Sequence, residues 1–359
     1  MFKLRNSIII AAVLLACGIA FVLSEPAGAQ QSSAGAKIAA PTPTPTIEEE
    51  EGVIKVDTEA VNVLFTAQDK DRRLLLTLKP EDVRILENGQ PQEISAFSKQ
   101  VDLPLSLTIL IDTSISQQRT LPEEKAAAIA FLESVVRPQK DEVAIVSFTG
   151  ESTLEQGMTN NLTRLRRAID RVQFVPPSGY IGGGVVAPGT PPLSRDNQSV
   201  VGSTAIWDAI WVTSDEVLGP APEKTRRAII LLSDGANTSG RKKLEEAVDA
   251  ALKAEAVIYS IGIGDEFYGG VNKSTLGKIS ERTGGRAYYP RDERELRDAF
   301  RQIQEEMRSQ YLLAYEPLNT ERDGAYRKIE IQLVNPELVK QKVKLTHRQG
   351  YFAKSGGKK

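Results

Sequence analysis

The chain is nearly without the side chains from which most metal and acid–base sites are made: it has one cysteine and one histidine in 359 residues. One Cys excludes a disulfide framework and any Cys-based zinc site. One His excludes poly-histidine metal centres and leaves a catalytic triad a single candidate base. Net charge is also small. With 45 Lys+Arg against 47 Asp+Glu and a pI near 5.8, the chain offers no electrostatic footprint for nucleic acid. Metal or acid–base chemistry must therefore be built mostly from oxygen ligands. What is present is ordinary globular material, 41% hydrophobic and 26% charged, in a length that suggests about two domains.

The N-terminus reads as an address. Lys3 and Arg5 precede an apolar run over residues 8–23, and Ala27-Gly28-Ala29 offers a small-x-small cleavage site before Gln30. This is the layout of a secretory signal over residues 1–29. The run of 16 residues is short for a membrane span, which needs about 20. An uncleaved anchor is the main alternative, and the only membrane association expected. A lipoprotein reading of Leu14-Leu15-Ala16-Cys17 is weakened by the apolar residues that follow the Cys. Cleavage would remove the only Cys, which suits an exported chain. Residues 30–52 form a linker. Pro41, Pro43 and Pro45 alternate with Thr and favour extended polyproline II, and Glu48 to Glu51 repel one another. It reads as a solvated leader or as a stalk reaching roughly 70 Å at ~3.1 Å per residue.

Three regions follow. Residues 53–104 read as β: Val61, Val63 and Phe65 alternate, Asp69-Lys70-Asp71 is a turn, Leu74-Leu75-Leu76 and Val83-Arg84-Ile85-Leu86 are short strand-like runs, and Asn88-Gly89 signals a hairpin. Residues 105–311 change rhythm. Apolar runs at 105–111 and 228–232 have the continuity of strands buried on both faces, and 143–148 and 257–261 are strand-like. Helical patterns lie between them at 120–136, 162–172, 205–218 and 244–255, then at 276–282 and 293–308. Thr120-Leu121-Pro122-Glu123 fits a capping box. This alternation predicts an α/β class, a doubly wound and mostly parallel sheet. Residues 312–353 return to β, with clean alternation in Lys328-Ile329-Glu330-Ile331-Gln332-Leu333, and residues 354–359 are a tail. Neither β flank has strands enough to close a core alone. The expected solution is one β-sandwich-like domain made from both, with the α/β domain inserted in it.

Chemistry concentrates where strands end. Parallel sheets bind ligands at the carboxyl ends of their strands. The run at 105–111 leads into Asp112-Thr113-Ser114-Ile115-Ser116, a carboxylate and two hydroxyls at D-x-S-x-S spacing. The run at 228–232 leads into Ser233-Asp234-Gly235, a second carboxylate on the same rim. Gly202-Ser203-Thr204 opens a helix and adds another hydroxyl. Each piece alone has a plain structural reading as a turn or helix cap. Together they make a hard-oxygen set suited to Mg²⁺ or Mn²⁺.

Asp112-Thr113-Ser114-Ile115-Ser116, Thr204 and Asp234 resemble the metal-ion-dependent adhesion site of a von Willebrand factor type A (VWA) domain, a resemblance that covers about 105–311. It implies hydroxyl ligation by Ser114, Ser116 and Thr204. Asp112 and Asp234 would act directly or through water. The ion is usually Mg²⁺, and a carboxylate from a protein partner completes its coordination. The flanking Pro80-Glu81-Asp82-Val83, Glu87-Asn88-Gly89, Ser309 to Tyr315, Tyr326 to Ile329 and Arg348-Gln349-Gly350-Tyr351 are similar to the VWA-related family typical of acidobacteria, extending the likeness over roughly 53–353. One departure is Ile115, where many members have a small residue; a β-branched side chain there could restrict the loop or shade the metal.

Residues 176–201, with Pro176-Pro177, Gly182-Gly183-Gly184 and Pro191-Pro192, form a long loop before Thr204, expected over the site either as a partner-contacting rim or as a passive insertion. Gly262-Ile263-Gly264 lacks the remaining parts of a dinucleotide fingerprint and reads as a strand end. His347 has no nucleophile motif beside it. The expectation is an exported, non-enzymatic module that ligates an Asp or Glu of a protein partner through a divalent metal. A metal-dependent hydrolase and a scaffold with a vestigial metal loop are the alternatives.

Overall fold

The structure is a computed structural model that describes residues 60–100, 103–176, 180–182, 185–186, 203–222, 225–264 and 269–356. The signal, the linker and most of the loop at 176–201 lie outside these residues. No helix among the described residues is long and apolar enough to cross a membrane.

The N-terminal segment makes four strands: Val61–Gln68 (β1), Val83–Glu87 (β2), Gln90–Gln92 (β3) and Ile94–Gln100 (β4). Val61, Val63 and Phe65 of β1 are buried in alternation. Asn88 and Gly89 join β2 to β3 with φ of 49° and 82°, the left-handed pair that a two-residue type I′ hairpin demands. Leu74-Leu75-Leu76 is not a strand. Leu74 makes a single bridge to Gln68, Leu75 packs on the β core and Leu76 is exposed, so the run is an irregular flap rather than a ladder.

The α/β unit follows as Leu105–Asp112 (β5), Leu121–Val135 (α1), Glu142–Phe148 (β6), Ser152–Thr159 (β7) and Leu162–Arg171 (α2). A small pair, Tyr180–Gly182 (β8) and Val185–Val186 (β9), precedes Ile206–Val212 (α3), which runs on as a wider π turn over Thr213–Leu218. Then come Arg226–Ser233 (β10), Leu244–Lys253 (α4), Ala256–Gly262 (β11), Lys273–Thr283 (α5), Ala287–Tyr288 (β12) and Glu293–Arg308 (α6). The sheet order is β12-β11-β10-β5-β6-β7. Every neighbouring pair is parallel except β6 with β7. All eight residues of β5 are buried, as its unbroken apolar pattern predicts. Phe131, Ile169 and Phe300 of α1, α2 and α6 cover one face; Ile210, Val248 and Ile279 of α3, α4 and α5 cover the other. The edge strand β7 is not legible in the sequence, because its half-exposed Ser152 to Thr159 lacks an apolar alternation. The capping box at Thr120 does not form. Its hydroxyl turns instead to Gln117 and to Glu124 Oε1, at 2.7 Å from the latter.

The C-terminal segment adds Gln310–Tyr315 (β13), Tyr326–Leu333 (β14), a short helix Pro336–Lys340 (α7), Lys344–His347 (β15) and Gly350–Phe352 (β16). Two antiparallel sheets result, β15-β1-β13-β4 and β16-β14-β2-β3, each mixing strands from both ends of the chain. Val63, Phe65, Ile85, Tyr311, Leu313 and Ile329 fill the space between them. The α/β unit is thus an insertion in a sandwich. Residues 56–359 form one compact body, and part of its seam is polar and buried. Glu306 at the end of α6 accepts from Gln68 Nε2 of β1 at 2.9 Å and from Tyr288 OH at 3.0 Å, with Arg286 Nε at 3.3 Å. Gly284, with φ 88°, closes α5 against the turn between β15 and β16; a Cβ there would stand 2.4 Å from Arg348 N, so only glycine fits.

Candidate metal centre

The sheet order places the centre. The chain leaves β5 toward β6 on one side and later returns to β10 on the other, so the connections that follow β5 and β10 part at the carboxyl ends of the strands, where a parallel sheet opens a crevice. Asp112 ends β5 and Asp234 follows β10, with both side chains buried.

Each oxygen of Asp112 is aimed by the chain around it. Oδ1 accepts the Ser114 amide at 2.9 Å, and Oδ2 accepts the Ser233 hydroxyl at 2.7 Å. Ser233 Oγ in turn accepts the Gly235 amide at 3.1 Å, tying the two strand ends together. Ser114 precedes and Ser116 lies on a one-turn 3₁₀ segment, Ile115–Gln117, and their hydroxyl oxygens are 3.1 Å apart. Ile115 is half-buried and its φ is not positive, so a β-branched residue sits there without backbone strain. Thr204 is buried and stapled to the loop after Asp234: its amide donates to Thr238 Oγ1 at 2.8 Å and its carbonyl accepts from the Thr238 and Ser239 amides. The helix begins at Ile206 with Ala205 as its N-cap, so Thr204 is not the cap. Asp234 Oδ1 accepts the Ala236 amide at 2.8 Å. The structure thus brings four of the five sequence-derived residues, Asp112, Ser114, Ser116 and Asp234, to the ends of adjacent strands. Thr204 joins them through the 237–239 loop.

The electrostatics fit a cation. Burial pushes the Asp112 carboxyl up to about 7, the hydrogen bonds from Ser114 and Ser233 pull it back, and the nearby Asp234 charge raises it further. Among the described residues no Lys or Arg side chain pairs with either aspartate. Two neighbouring buried carboxylates without a countercharge are unfavourable, and a divalent ion among oxygen donors removes that cost.

Sequence reasoning missed the support beneath the loop. Gln117 is fully buried; its Nε2 donates to the Ile263 carbonyl at 3.0 Å and its Oε1 lies 2.9 Å from Thr120 Oγ1. Glu124 is also fully buried, and its Oε2 has no hydrogen-bond partner. Its signal was present: Leu121, Glu124, Ala128, Phe131, Leu132 and Val135 share the buried stripe of α1, so a carboxylate stands where an apolar residue belongs. Burial pushes Glu124 up to about 8, with Asp112 and Asp234 adding to the rise. A folded-state value above the usual 4.5 means stability that is full below pH 4.5 and lost as pH climbs through 8. Glu124→Gln in metal-free buffer should remove that loss, worth on the order of a few kcal/mol at pH 9, and urea melts of both proteins at pH 5 and 9 check it.

His347, in contrast, belongs to the sandwich. Its Nε2 accepts the Ile331 amide at 3.2 Å and its Nδ1 faces the Arg348 carbonyl at 2.7 Å, a pairing that suits the neutral ring; burial lowers its proton affinity in the same sense.

Residues 195–302 match the family model of the von Willebrand factor type A domain, a span that includes Thr204 and Asp234. No curated protein matches the chain. Among solved structures, proximal thread matrix protein 1 from the mussel byssus is 18% identical, with 62% of this chain aligned to 51% of that one at a TM-score of 0.46. The chain therefore spans about half the length of the mussel protein. A further structure of that protein, described with a zinc occupied MIDAS motif, is 20% identical over 61% of this chain and 49% of that one, at a TM-score of 0.44. An aerotolerance-related membrane protein from Bacteroides fragilis NCTC 9343 is 15% identical over 57% of this chain and all of its own length, at a TM-score of 0.41. The matched span lies inside the six-stranded α/β unit, which is the part of the chain that resembles the von Willebrand factor type A domain.

Proposed function

We propose that the chain is an exported, non-enzymatic protein-binding module that ligates a partner's Asp or Glu through a divalent metal. Asp112, Ser114, Ser116, Thr204 and Asp234 would hold the ion, Mg²⁺ or Mn²⁺. The observation that carries the reading is the buried Asp112–Asp234 pair, without a cationic side chain, beside two hydroxyl oxygens 3.1 Å apart. When bound, the ion supplies an electrophilic position for a carboxylate. The protein's part is to keep that position open. Three of its five donors are neutral hydroxyls, so the shell adds no negative charge beyond its two carboxylates and leaves the ion more electrophilic than an all-carboxylate site would. Ser233 and the Ser114 amide hold Asp112 in one orientation, and the Gln117 bond to Ile263 fixes the turn that carries both serines. A hydrolase would need a general base beside the metal. The single histidine is engaged at both nitrogens within the sandwich, and the nearby Glu124 is fully buried beneath the loop and held in its protonated form, which favours binding over turnover.

The test is capture from cell-envelope extract. Full-length protein is expected to retain a partner in Mg²⁺ and release it in EDTA, and Asp112→Asn should retain none. Equal capture by Asp112→Asn would leave the scaffold reading in its place.

A further inference from the structure

At the opposite end of the parallel sheet from the metal centre, the sandwich and the α/β unit leave a cavity of about 270 Å³ between them. Its walls are apolar. On the sandwich side stand Leu64 and Leu312, directly paired across β1 and β13. Their neighbours Val63, Phe65 and Leu313 point into the sandwich core, so the two leucines occupy the outer face, where alternation would ordinarily place polar residues. Across from them are Leu103, Leu252, Val257 and Met307.

The cavity also has a cationic wall. Arg227 and Arg348 line it with side chains only 9% and 11% exposed. Arg348 Nη2 donates to the Asn62 carbonyl at 2.8 Å and Arg227 Nη2 to the Ala221 carbonyl at 2.7 Å, which fixes both guanidinium groups in place. The Nε of each is buried without an acceptor. Buried donors are almost always satisfied, and each of these guanidinium groups has one donor still unmet. The acid nearest them is Glu255, 3.2 Å from Arg348 Nη1 but 4.0 Å from Arg227 Nη1, and its side chain is 56% exposed. It reaches the arginines from solvent and is free to yield to another anion.

We propose that this seam is a binding site for a straight-chain aliphatic monocarboxylate. Its carboxylate takes the place of Glu255 on Arg227 and Arg348, and its chain lies between the Leu64–Leu312 pair and Leu103 and Val257. An apolar cavity of about 150 Å³ accommodates one benzene, so this one takes roughly a dozen heavy atoms, the size of decanoate. The site is independent of the metal centre, and its test runs in EDTA so that failure of one reading leaves the other standing.

Titration calorimetry of the full chain with decanoate below its micelle concentration is expected to show saturable one-site binding, at least tenfold tighter than decanol. Glu255→Gln, which removes the competing anion, should tighten decanoate severalfold, a gain that a purely structural role for Glu255 does not give. Leu312→Trp, which fills the cavity, should abolish binding; Leu64→Trp serves if that variant does not fold. The proposal is overturned by absence of saturable binding, which leaves only water in the seam. It is also overturned by decanol binding as tightly as decanoate, by no gain in Glu255→Gln, or by undiminished binding in a folded cavity-filled variant.

Discussion

Asp112→Asn should abolish the stabilisation that Mg²⁺ or Mn²⁺ confers on the wild-type chain. An ion that binds only the folded state at a hundredfold excess over its Kd adds about 2.7 kcal/mol. At about 2–4 °C per kcal/mol for a chain of this size, the melting temperature rises on the order of 5–10 °C. The asparagine keeps an acceptor for the Ser114 amide but removes the charge, so the metal-dependent rise should vanish while the fold stays. The metal-free proteins should differ in the opposite sense. Burial lifts Asp112 from 3.8 to about 7, so wild-type stability is full below pH 3.8 and lost as pH rises through 7. That loss is on the order of 4 kcal/mol by pH 8, and Asp112→Asn should escape it. Melting curves in EDTA and in Mg²⁺ at pH 5 and 8 separate the two effects. Identical wild-type curves with and without metal would argue against the site.

Glu87→Ala should cost more than any surface change, about 3–5 kcal/mol. Glu87 is at the end of β2, in the N-terminal segment, yet its partners all come from the C-terminal one. Tyr315 OH donates to its Oε2 at 2.7 Å and Tyr351 OH at 2.9 Å, and Arg327 Nη1 is 3.6 Å from its Oε1. Glu87 and Arg327 are 3% and 4% exposed. Truncating the acid leaves the buried guanidinium with only the more exposed Asp323 carboxylate, 3.9 Å away, and leaves one buried and one half-buried hydroxyl without their acceptor. Tyr315→Phe, which removes one hydroxyl and no charge, should cost only about 1 kcal/mol. Urea unfolding of both variants checks the order. A loss below 1 kcal/mol for Glu87→Ala would mean that the two chain ends do not close one core.

Much of this architecture can be read in the sequence because burial leaves a pattern. β5 and β10 are apolar throughout since both faces are covered, and Asn88-Gly89 marks its hairpin since few other pairs accept two positive φ values. The helix over Glu293–Arg308 is visible in full from its caps and its stripe. Other features left no such trace. β7 is half-exposed at a sheet edge, so nothing imposes alternation on it. Leu74-Leu75-Leu76 has strand composition but no partner strand, and pairing is a tertiary fact. In the candidate metal centre the five proposed donors are legible because their types and spacing are chemical. The residues that aim them are not. Ser233 orients Asp112 across 121 positions of sequence, and Gln117 reaches Ile263 across 146. Such bonds follow from which strands lie side by side.

The most direct test is a Mn²⁺-soaked crystal examined by anomalous scattering. One anomalous peak is expected at the ends of β5 and β10, bounded by the oxygens of Ser114, Ser116, Thr204, Asp112 and Asp234, and no peak there in crystals of Asp112→Asn. A Mn²⁺ peak elsewhere on the chain, or none in wild-type crystals at saturating metal, would contradict the proposed site.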